Sequence, residues 1–228
     1  SVFGGVHKGF SAPSNAPNVD EENALNYELG LRFARKDLQA EFAFFYSDYD
    51  NLLGECTASS GSDCEIGDAF NGDAATVQGV EFLLGANLNP GGRVAIPFDL
   101  TYTYINGEFD TDIADTDFFG DVSAGDPIPY LPDHQLNLTL GLEGDRWNVF
   151  LAANYVDAVC TRASCGIFEE TDDSLVVDMA GRYRLDGGTE FFARIENILG
   201  AEDILGRQPY GARPNKDTTA SLGVRFSF

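Results

Sequence analysis

Apolar and polar residues alternate along much of this chain. The alternation is clearest from Gln135 to Glu143, where leucines occupy every second position and polar or small residues fill the positions between them. Because successive side chains of a β-strand point to opposite faces, this segment predicts a strand with one apolar and one polar face. The pattern predicts ten strands, with apolar positions within residues 2–8, 25–33, 38–46, 80–88, 94–104, 136–142, 147–155, 175–183, 191–199 and 220–228.

The polar faces of these predicted strands carry many charges, which excludes the sealed interior of a small sandwich because buried charges need water or partners. A large membrane barrel satisfies them, since its outside meets lipid and its inside is wet or holds another polar domain. Strand lengths of about 10 to 12 residues also suit a tilted crossing of the bilayer. The fold class predicted is all-β, a transmembrane antiparallel β-barrel. The charges are Glu28, Arg32, Glu41, Glu81, Asp99, Asp178, Arg182, Arg184, Arg194, Glu196 and Arg225.

Connections between the strands alternate between short and long. Tight turns are predicted at residues 35–37, 89–92, 144–145 and 186–188, which are rich in Gly, Asn and Asp. Outer-membrane barrels place short turns in the periplasm and long loops outside the cell. The location predicted is therefore the outer membrane of a Gram-negative bacterium, with the long connections outside: residues 9–23, 50–74, 108–132, 157–173 and 200–217.

Aromatic residues near the predicted strand ends fit an interfacial girdle. Tyr46 and Tyr49 lie near the outer end of one strand, Tyr102 and Tyr104 near that of another, and Trp147 follows a tight turn. Tyrosine and tryptophan are enriched at both edges of the apolar band of such barrels.

The formal net charge of −23, from 37 acidic and 14 basic residues, argues against nucleic acid as a partner. No apolar run reaches the roughly 18 residues of a spanning helix. Seven acids lie in the segment from Glu108 to Asp126, but they lack the glycine-centred spacing of a calcium loop, so lipopolysaccharide-associated cations or simple solvation are favoured over a calcium site. No metal site and no cofactor are predicted. The first residues resemble a strand interior rather than a signal peptide, so we expect that chain precedes them.

Four cysteines form two close pairs in polar segments, Cys56 with Cys64 and Cys160 with Cys165. Neither pair has a neighbouring histidine or further cysteine to complete a metal site. Two local disulfides in an oxidising compartment are therefore the hypothesis.

Several segments together resemble the TonB-dependent receptors, and more narrowly their ferric dicitrate branch. Near the start, a Gly-Phe-x-x-Pro signature precedes a Tyr-Glu-Leu-Gly strand; in the middle, a cysteine-bearing loop leads to a returning Gly-x-Glu strand; at the end, Glu-Asn-Ile-Leu precedes an aromatic C-terminus. The segments are residues 5–14 (GVHKGFSAPS), 26–32 (NYELGLR), 45–53 (FYSDYDNLL), 77–81 (VQGVE), 194–199 (RIENIL) and 225–228 (RFSF).

The resemblance implies a particular place in a larger protein. Family barrels have about 22 strands, so residues 1–228 would be the C-terminal portion of the barrel domain, its closing ten strands, without the plug domain or the TonB box. It further implies uptake of a ferric chelate, coupling to the TonB complex through the missing N-terminal region, contact with outer-membrane lipid and lipopolysaccharide, assembly through Phe228, and a monomeric full-length receptor.

Arginines in the outer loops are the candidate contacts for an anionic iron chelate, because guanidinium forms charge-assisted bonds to carboxylates. These are Arg162, Arg207 and Arg213, with Gln208 and Tyr210 beside them. The alternative is that these arginines neutralise nearby loop carboxylates such as Glu202 and Asp203. For the charges of the barrel interior, pairing across strands and with the plug is preferred to direct contact with the solute.

Two other functions remain open at this stage. A passive porin would need no plug, and an outer-membrane hydrolase would need a nucleophile with a base and an orienting partner. His134 next to Asp133 is a poor dyad because neighbouring strand residues face opposite ways. We therefore predict no catalytic residue and no enzyme. Sequence upstream of this chain, with or without a plug and TonB box, would separate these possibilities.

Overall fold

The structure is a computed structural model that describes residues 1–12, 19–55, 65, 68–116, 120–207 and 211–226. All regular elements among these residues are β-strands. They are β1 (Val2–Ser11), β2 (Glu22–Arg35), β3 (Leu38–Asp50), β4 (Leu53–Glu55), β5 (Ala69–Asn71), β6 (Ala75–Asn87), β7 (Pro97–Phe109), β8 (Ile113–Thr116), β9 (Gly120–Val122), β10 (His134–Glu143), β11 (Trp147–Val156), β12 (Ser174–Arg184), β13 (Thr189–Glu196), β14 (Ile204–Gly206), β15 (Arg213–Pro214) and β16 (Thr219–Phe226).

Ten strands form one antiparallel sheet in the order β1-β2-β3-β6-β7-β10-β11-β12-β13-β16, so each main strand pairs with its neighbours in sequence. This confirms the predicted all-β, ten-stranded antiparallel architecture. In the described part of the chain, β1 and β16 do not pair with each other, and the sheet has two open edges. No helix in these residues is long and apolar enough to cross a membrane.

The apolar positions of neighbouring strands lie directly opposite one another. This register produces one continuous apolar face, and the other side of the sheet is here called the polar face. Residues of the apolar face are widely exposed, with Leu29 at 60% and Leu31 at 57%. Apolar patches larger than a few hundred Å² mark membrane or protein contacts. One rung crosses eight strands through Val2, Leu31, Phe42, Phe82, Tyr102, Leu136, Tyr155 and Leu175.

Charges on the polar face pair across strands. Arg32 Nε lies 2.6 Å from Glu41 Oε2 on the next strand. Glu190, with a side chain only 14% exposed, lies between Arg184 at 3.5 Å and Arg225 at 3.6 Å. The cross-strand pairing expected for these charges is therefore present within the sheet itself.

Aromatic rings on the polar face cover glycines of the paired strand. A Cβ built on Gly30 would lie 2.1 Å from the ring of Phe3, and one on Gly223 would lie 2.1 Å from the ring of Phe192. Such a ring fills the space that glycine leaves, which helps to fix strand register. The four directly paired partners are Phe3 with Gly30, Phe45 with Gly79, Phe150 with Gly141 and Phe192 with Gly223.

Several predicted boundaries differ from the structure. β7 begins at Pro97 rather than at Val94, because the Asn87 and Asn89 side chains bond the backbone of the preceding connection, including the Ile96 N–H. β13 ends at Glu196, three residues before Leu199. The long connections also contain three short two-stranded sheets, β4–β5, β8–β9 and β14–β15, which the alternation does not predict.

Candidate functional site

A small apolar core lies at the end of the sheet where the long connections emerge, here called the loop end. It centres on Phe109 and Ala75, paired across β6 and β7 and both 0% exposed, with Val122 and Ala163 from two connections. Phe109 and Ala75 alternate with the apolar-face residues of their strands and so lie on the polar face. Tyr49 packs against the same core on the polar face, so it does not lie on the side where the girdle was predicted, whereas Tyr46 lies on the apolar face.

The chain returning from β9 to β10 crosses the polar face closely. A Cβ on Gly107 would lie 2.5 Å from Leu131 Cδ2 and 3.2 Å from Ile128 Cδ1, so only glycine leaves room for this crossing. The Ile128 N–H donates to the Gly107 carbonyl at 3.0 Å. The connection from β9 to β10 therefore folds over the polar face instead of standing clear of the sheet.

Residues 160–165, between β11 and β12, form a ring closed by the disulfide of Cys160 and Cys165, whose Cα atoms are 5.2 Å apart. This confirms one of the two predicted disulfides. Cys56 and Cys64 lie outside the described residues. Within the ring, Ala163 is 1% exposed and packs into the loop-end core. The disulfide thus holds one connection against another.

A tight turn follows the ring at residues 166–169. The Glu169 N–H donates to the Gly166 carbonyl at 2.8 Å, and the Gly166 N–H donates to Glu169 Oε2 at 2.8 Å. Thr161 donates to the Glu169 carbonyl through both its N–H and its hydroxyl, each at 2.7 Å. Glu169 therefore fastens the turn to the disulfide ring through both its backbone and its side chain.

The two central residues of this turn are apolar and project into solvent. Ile167 is 91% exposed and Phe168 is 84% exposed. Central turn positions usually carry Gly, Asn, Asp, Ser or Pro, each for a backbone reason that neither isoleucine nor phenylalanine offers. The fixed turn consequently displays an apolar tip, defined here as Ile167 and Phe168.

The connection from β13 to β16 joins the same loop end. The Asp172 N–H donates to the Ile204 carbonyl and the Ile204 N–H donates back to Asp172 Oδ2, at 2.9 and 2.8 Å. Ser174 Oγ donates to Asp203 Oδ2 at 2.7 Å. These bonds tie the last connection to the start of β12.

The candidate arginines divide between two places. Arg162 Nε lies 3.7 Å from Glu169 Oε1, and Arg207 Nε donates to the Glu170 carbonyl, so both contact the segment that follows the apolar tip. Arg213 lies on β15 with its guanidinium against Gly206 of β14. Gln208 and Tyr210 lie outside the described residues.

In the acidic connection after β7, several carboxylates accept hydrogen bonds from nearby backbone N–H groups or from a side-chain hydroxyl. Asp126 Oδ2 accepts from the Ser123 N–H at 2.7 Å, and Asp112 Oδ1 accepts from the Ala124 N–H at 2.8 Å. Asp110 Oδ2 accepts from the Thr76 hydroxyl at 2.8 Å. Across residues 1–12, 19–55, 65, 68–116, 120–207 and 211–226, no group of three His, Cys, Asp or Glu side chains is placed to hold a metal ion.

His134 lies at the loop end of the apolar face. Its Nδ1 is 2.8 Å from the Tyr102 hydroxyl, and its ring centroid is 5.1 Å from that of Tyr104. These three rings form an aromatic cluster at the edge of the apolar band, where a girdle was predicted.

The sequence reasoning missed the turn at residues 166–169. These residues lie in the long connection predicted over residues 157–173, for which the alternation of apolar and polar residues predicts no internal structure. A signal was available, because two large apolar residues directly follow Cys165 and Gly166 in an otherwise polar connection. Which backbone groups Glu169 would bond could not be predicted from its sequence position.

These features define an amphipathic antiparallel sheet of the outer-membrane barrel type, with an interlocked set of loops at one end. Residues 1–198 match the family model described as "TonB dependent receptor-like, beta-barrel". The chain belongs to this family, which consists of transport receptors rather than enzymes. A comparison with curated protein sequences gives no match.

Solved structures share the fold at low sequence identity. The siderophore receptor PiuA from Acinetobacter baumannii superposes with a TM-score of 0.76 at 17% identity, over 99% of this chain and 33% of that one. The ferric yersiniabactin uptake receptor FyuA from Yersinia pestis gives 0.70 at 18%, over 100% and 34%. The ferric citrate transporter FecA gives 0.74 at 15%, over 97% and 35%. This chain therefore spans about a third of the length of each.

Proposed function

We propose that this chain is part of a TonB-dependent receptor that takes up a ferric chelate across the outer membrane of a Gram-negative bacterium. The observation that carries the proposal is the apolar face, which keeps its register through ten strands in a chain belonging to this family. Lipid would cover the apolar face, and the polar face would line the barrel interior. The barrel performs no covalent chemistry in this function.

The proposed orientation puts the short turns in the periplasm and the loop end outside the cell. The aromatic cluster of Tyr102, Tyr104 and His134 would then lie at the outer edge of the bilayer, beside lipid and lipopolysaccharide. The interlocked loops would lie at the mouth through which a solute enters.

We also propose that residues 1–228 are the C-terminal portion of a barrel domain of about 22 strands. Two open sheet edges, at β1 and β16, support this because unpaired edges inside a bilayer are not stable. The ferric dicitrate branch is proposed on the resemblance of the segments given above. The plug domain and TonB box would belong to other parts of the receptor, which would be monomeric.

The proposed partners follow from this placement. They are the ferric chelate, the TonB complex, outer-membrane lipid and the barrel assembly machinery, which would read the aromatic end at Phe228. The strong acidity disfavours nucleic acid. Arg162, Arg207, Gln208, Tyr210 and Arg213 remain the proposed contacts for anionic groups of the chelate.

Growth of an iron-limited strain provides the test. The full-length receptor is deleted and restored, and growth is measured on defined ferric chelates with TonB present and absent. We expect growth on at least one chelate to require both the receptor and TonB. Receptor-dependent uptake that persists without TonB would instead indicate a passive pore, and no receptor dependence on any iron source would reject iron uptake.

A further inference from the structure

A groove crosses the apolar face near the end of the sheet where the short turns lie, here called the turn end. Its volume is about 640 Å³, and its floor is formed by Gly181 and Ala193, which pair directly across β12 and β13. Neither residue has a side chain beyond Cβ, so the surface is lower here than on either side. The walls are apolar-face side chains of four adjacent strands: Trp147, Val149, Tyr183, Phe191, Leu222 and Val224.

The strand register shows which side of the sheet the groove faces. Gly181 and Ala193 share one rung with Val149 and Leu222, and all four follow the alternation of the apolar face. The floor lies between β11 and β16, so the walls on both sides belong to the described residues. In the proposed receptor the apolar face meets lipid. The group that fills the groove is therefore a hydrocarbon chain of the bilayer.

Two amphipathic rings close the groove at the turn end. Trp147 and Tyr183 pair directly across β11 and β12. A Cβ built on Gly144, in the turn before β11, would lie 2.6 Å from Trp147 Nε1, so the polar edge of the indole faces the turn. Trp and Tyr favour the boundary between hydrocarbon and headgroups, where one end of the ring is apolar and the other is wet. Lipid headgroups therefore lie directly beyond these two rings.

One cation and one anion lie just past the two rings. Arg146 precedes Trp147, and Asp186 is in the turn that follows Tyr183. Arg146 Nη2 is 2.9 Å from Asp186 Oδ1, yet the two side chains remain 54% and 84% exposed. A neighbouring pair of opposite charges complements a headgroup that carries one phosphate and one ammonium. A primary ammonium also donates hydrogen bonds to a carboxylate, which a fully methylated one cannot do.

We propose that the groove and the Arg146–Asp186 pair form a binding site for one zwitterionic phospholipid whose headgroup carries a primary ammonium. One acyl chain lies in the groove over Gly181 and Ala193, the phosphate lies beside Arg146, and the ammonium lies beside Asp186. The inference rests on the proposed function, because that function puts the apolar face in the bilayer and the short turns in the periplasm.

The test of the groove uses native mass spectrometry of the full-length receptor in mild detergent, which gives the oligomeric state and the affinity for the first bound lipid. The probes are phosphatidylethanolamine, phosphatidylcholine and phosphatidylglycerol with the same palmitoyl and oleoyl chains. Ala193→Phe fills the groove and should weaken binding of all three roughly 10-fold, as expected when about two methylene groups lose their burial. Ala40→Phe makes the same change on the apolar face of β3, outside the groove, and should bind as the native receptor does.

The headgroup contact is tested by Asp186→Asn. We expect the affinity for phosphatidylethanolamine to fall about 2- to 5-fold, the range for an exposed charge pair, while the affinity for phosphatidylcholine stays the same. Asp37→Asn removes a carboxylate from another short turn and is the matched control. Native receptor should bind phosphatidylethanolamine more tightly than the other two probes.

Three results would overturn the inference. The first is equal affinity of Ala193→Phe and Ala40→Phe, and the second is an unchanged preference for phosphatidylethanolamine in Asp186→Asn. The third is a native dimer that Ala193→Phe abolishes, since a second copy of the receptor would then cover the groove. Ala193→Leu, a smaller filling, replaces Ala193→Phe if that variant does not fold. The proposed function fails separately, by the absence of receptor-dependent growth on every iron source, which the lipid measurements do not read.

Discussion

The Asn197 side chain and the Ala201 backbone are joined by two hydrogen bonds that run in opposite directions. Asn197 Oδ1 accepts from the Ala201 N–H at 2.9 Å, and Asn197 Nδ2 donates to the Ala201 carbonyl at 2.9 Å. Nδ2 also donates to the Lys216 carbonyl at the far end of the same connection. Asn197 is 3% exposed and has a φ of 51°, a left-handed conformation that asparagine tolerates better than most residues.

Replacing Asn197 with alanine should therefore loosen the connection between β13 and β16. Three side-chain hydrogen bonds to the backbone of Ala201 and Lys216 disappear, which we expect to cost about 1 to 4 kcal/mol. Urea unfolding of the refolded full-length barrel measures the change. Asn137→Ala, on the polar face of β10, is the control and should unfold close to the native midpoint. Equal midpoints for both variants would contradict this role for Asn197.

Gly79 should not tolerate alanine. The added Cβ would lie 2.1 Å from the Tyr104 carbonyl oxygen and 2.7 Å from Phe45 Cζ, and the first of these belongs to the backbone of the next strand. We expect roughly 1 to 3 kcal/mol of destabilisation and a smaller folded fraction in the outer membrane, measured by the heat-dependent shift in gel mobility. Gly181 of the interior strand β12 is the control, because a Cβ there would approach no other atom more closely than 3.3 Å, and Gly181→Ala should fold better than Gly79→Ala. A normal yield for Gly79→Ala would count against the register shown here.

Removing the Cys160 to Cys165 disulfide should act locally. For a ring this short, the chain-entropy model gives a stabilisation of about 2 kcal/mol. The disulfide joins Cys160 and Cys165, so this stabilisation acts on residues 160–165 beside the loop-end core. In the full-length receptor, Cys160→Ala/Cys165→Ala should raise amide hydrogen exchange across residues 160–170. Exchange in β11 and β12 should stay as in the native protein. If residues 160–170 exchange at the same rate in the variant and in the native protein, the disulfide adds no order to this loop.

Glu169 should matter more for its hydrogen bonds than for its charge. Its carboxylate accepts from the Gly166 N–H at 2.8 Å, whereas Arg162 lies farther away, at 3.7 Å. A partly exposed ion pair contributes at most about 1 kcal/mol. We therefore expect Glu169→Gln to keep the turn and Glu169→Ala to loosen it, as read by hydrogen exchange at residues 166–169. Equal loosening of the turn in both variants would assign it to the ion pair with Arg162 instead.

The sheet could be predicted from the sequence because its period of two is a direct consequence of strand geometry. The leucines of β10 and the aromatics of β3 each define the apolar face of their own strand without any knowledge of the neighbouring strands, and the ten alternating segments together give the strand count. The ends of the strands were harder to predict. The side chains of Asn87 and Asn89 bond the backbone of Ile96 and Val94, so β7 begins only at Pro97, and the alternation of apolar and polar residues does not predict these bonds.

The candidate site was less accessible to sequence reasoning. Arg162 and Arg207 were selected for their charge, and their contacts with Glu169 and Glu170 depend on how two separate connections meet. Ala163, an unremarkable residue in sequence, is almost fully buried because a core forms between β6, β7 and their loops. Such contacts join residues that are far apart in the chain, so local sequence patterns do not predict them.

The aligned rungs restrict how this chain can change over time. A single residue inserted into β10 would turn every later side chain of that strand to the opposite side and place its leucines on the polar face. Two inserted residues would keep each side chain on its own side and only lengthen the strand. Length changes in the strands should therefore be accepted in steps of two, whereas the long connections, which have no such parity, are free to vary one residue at a time.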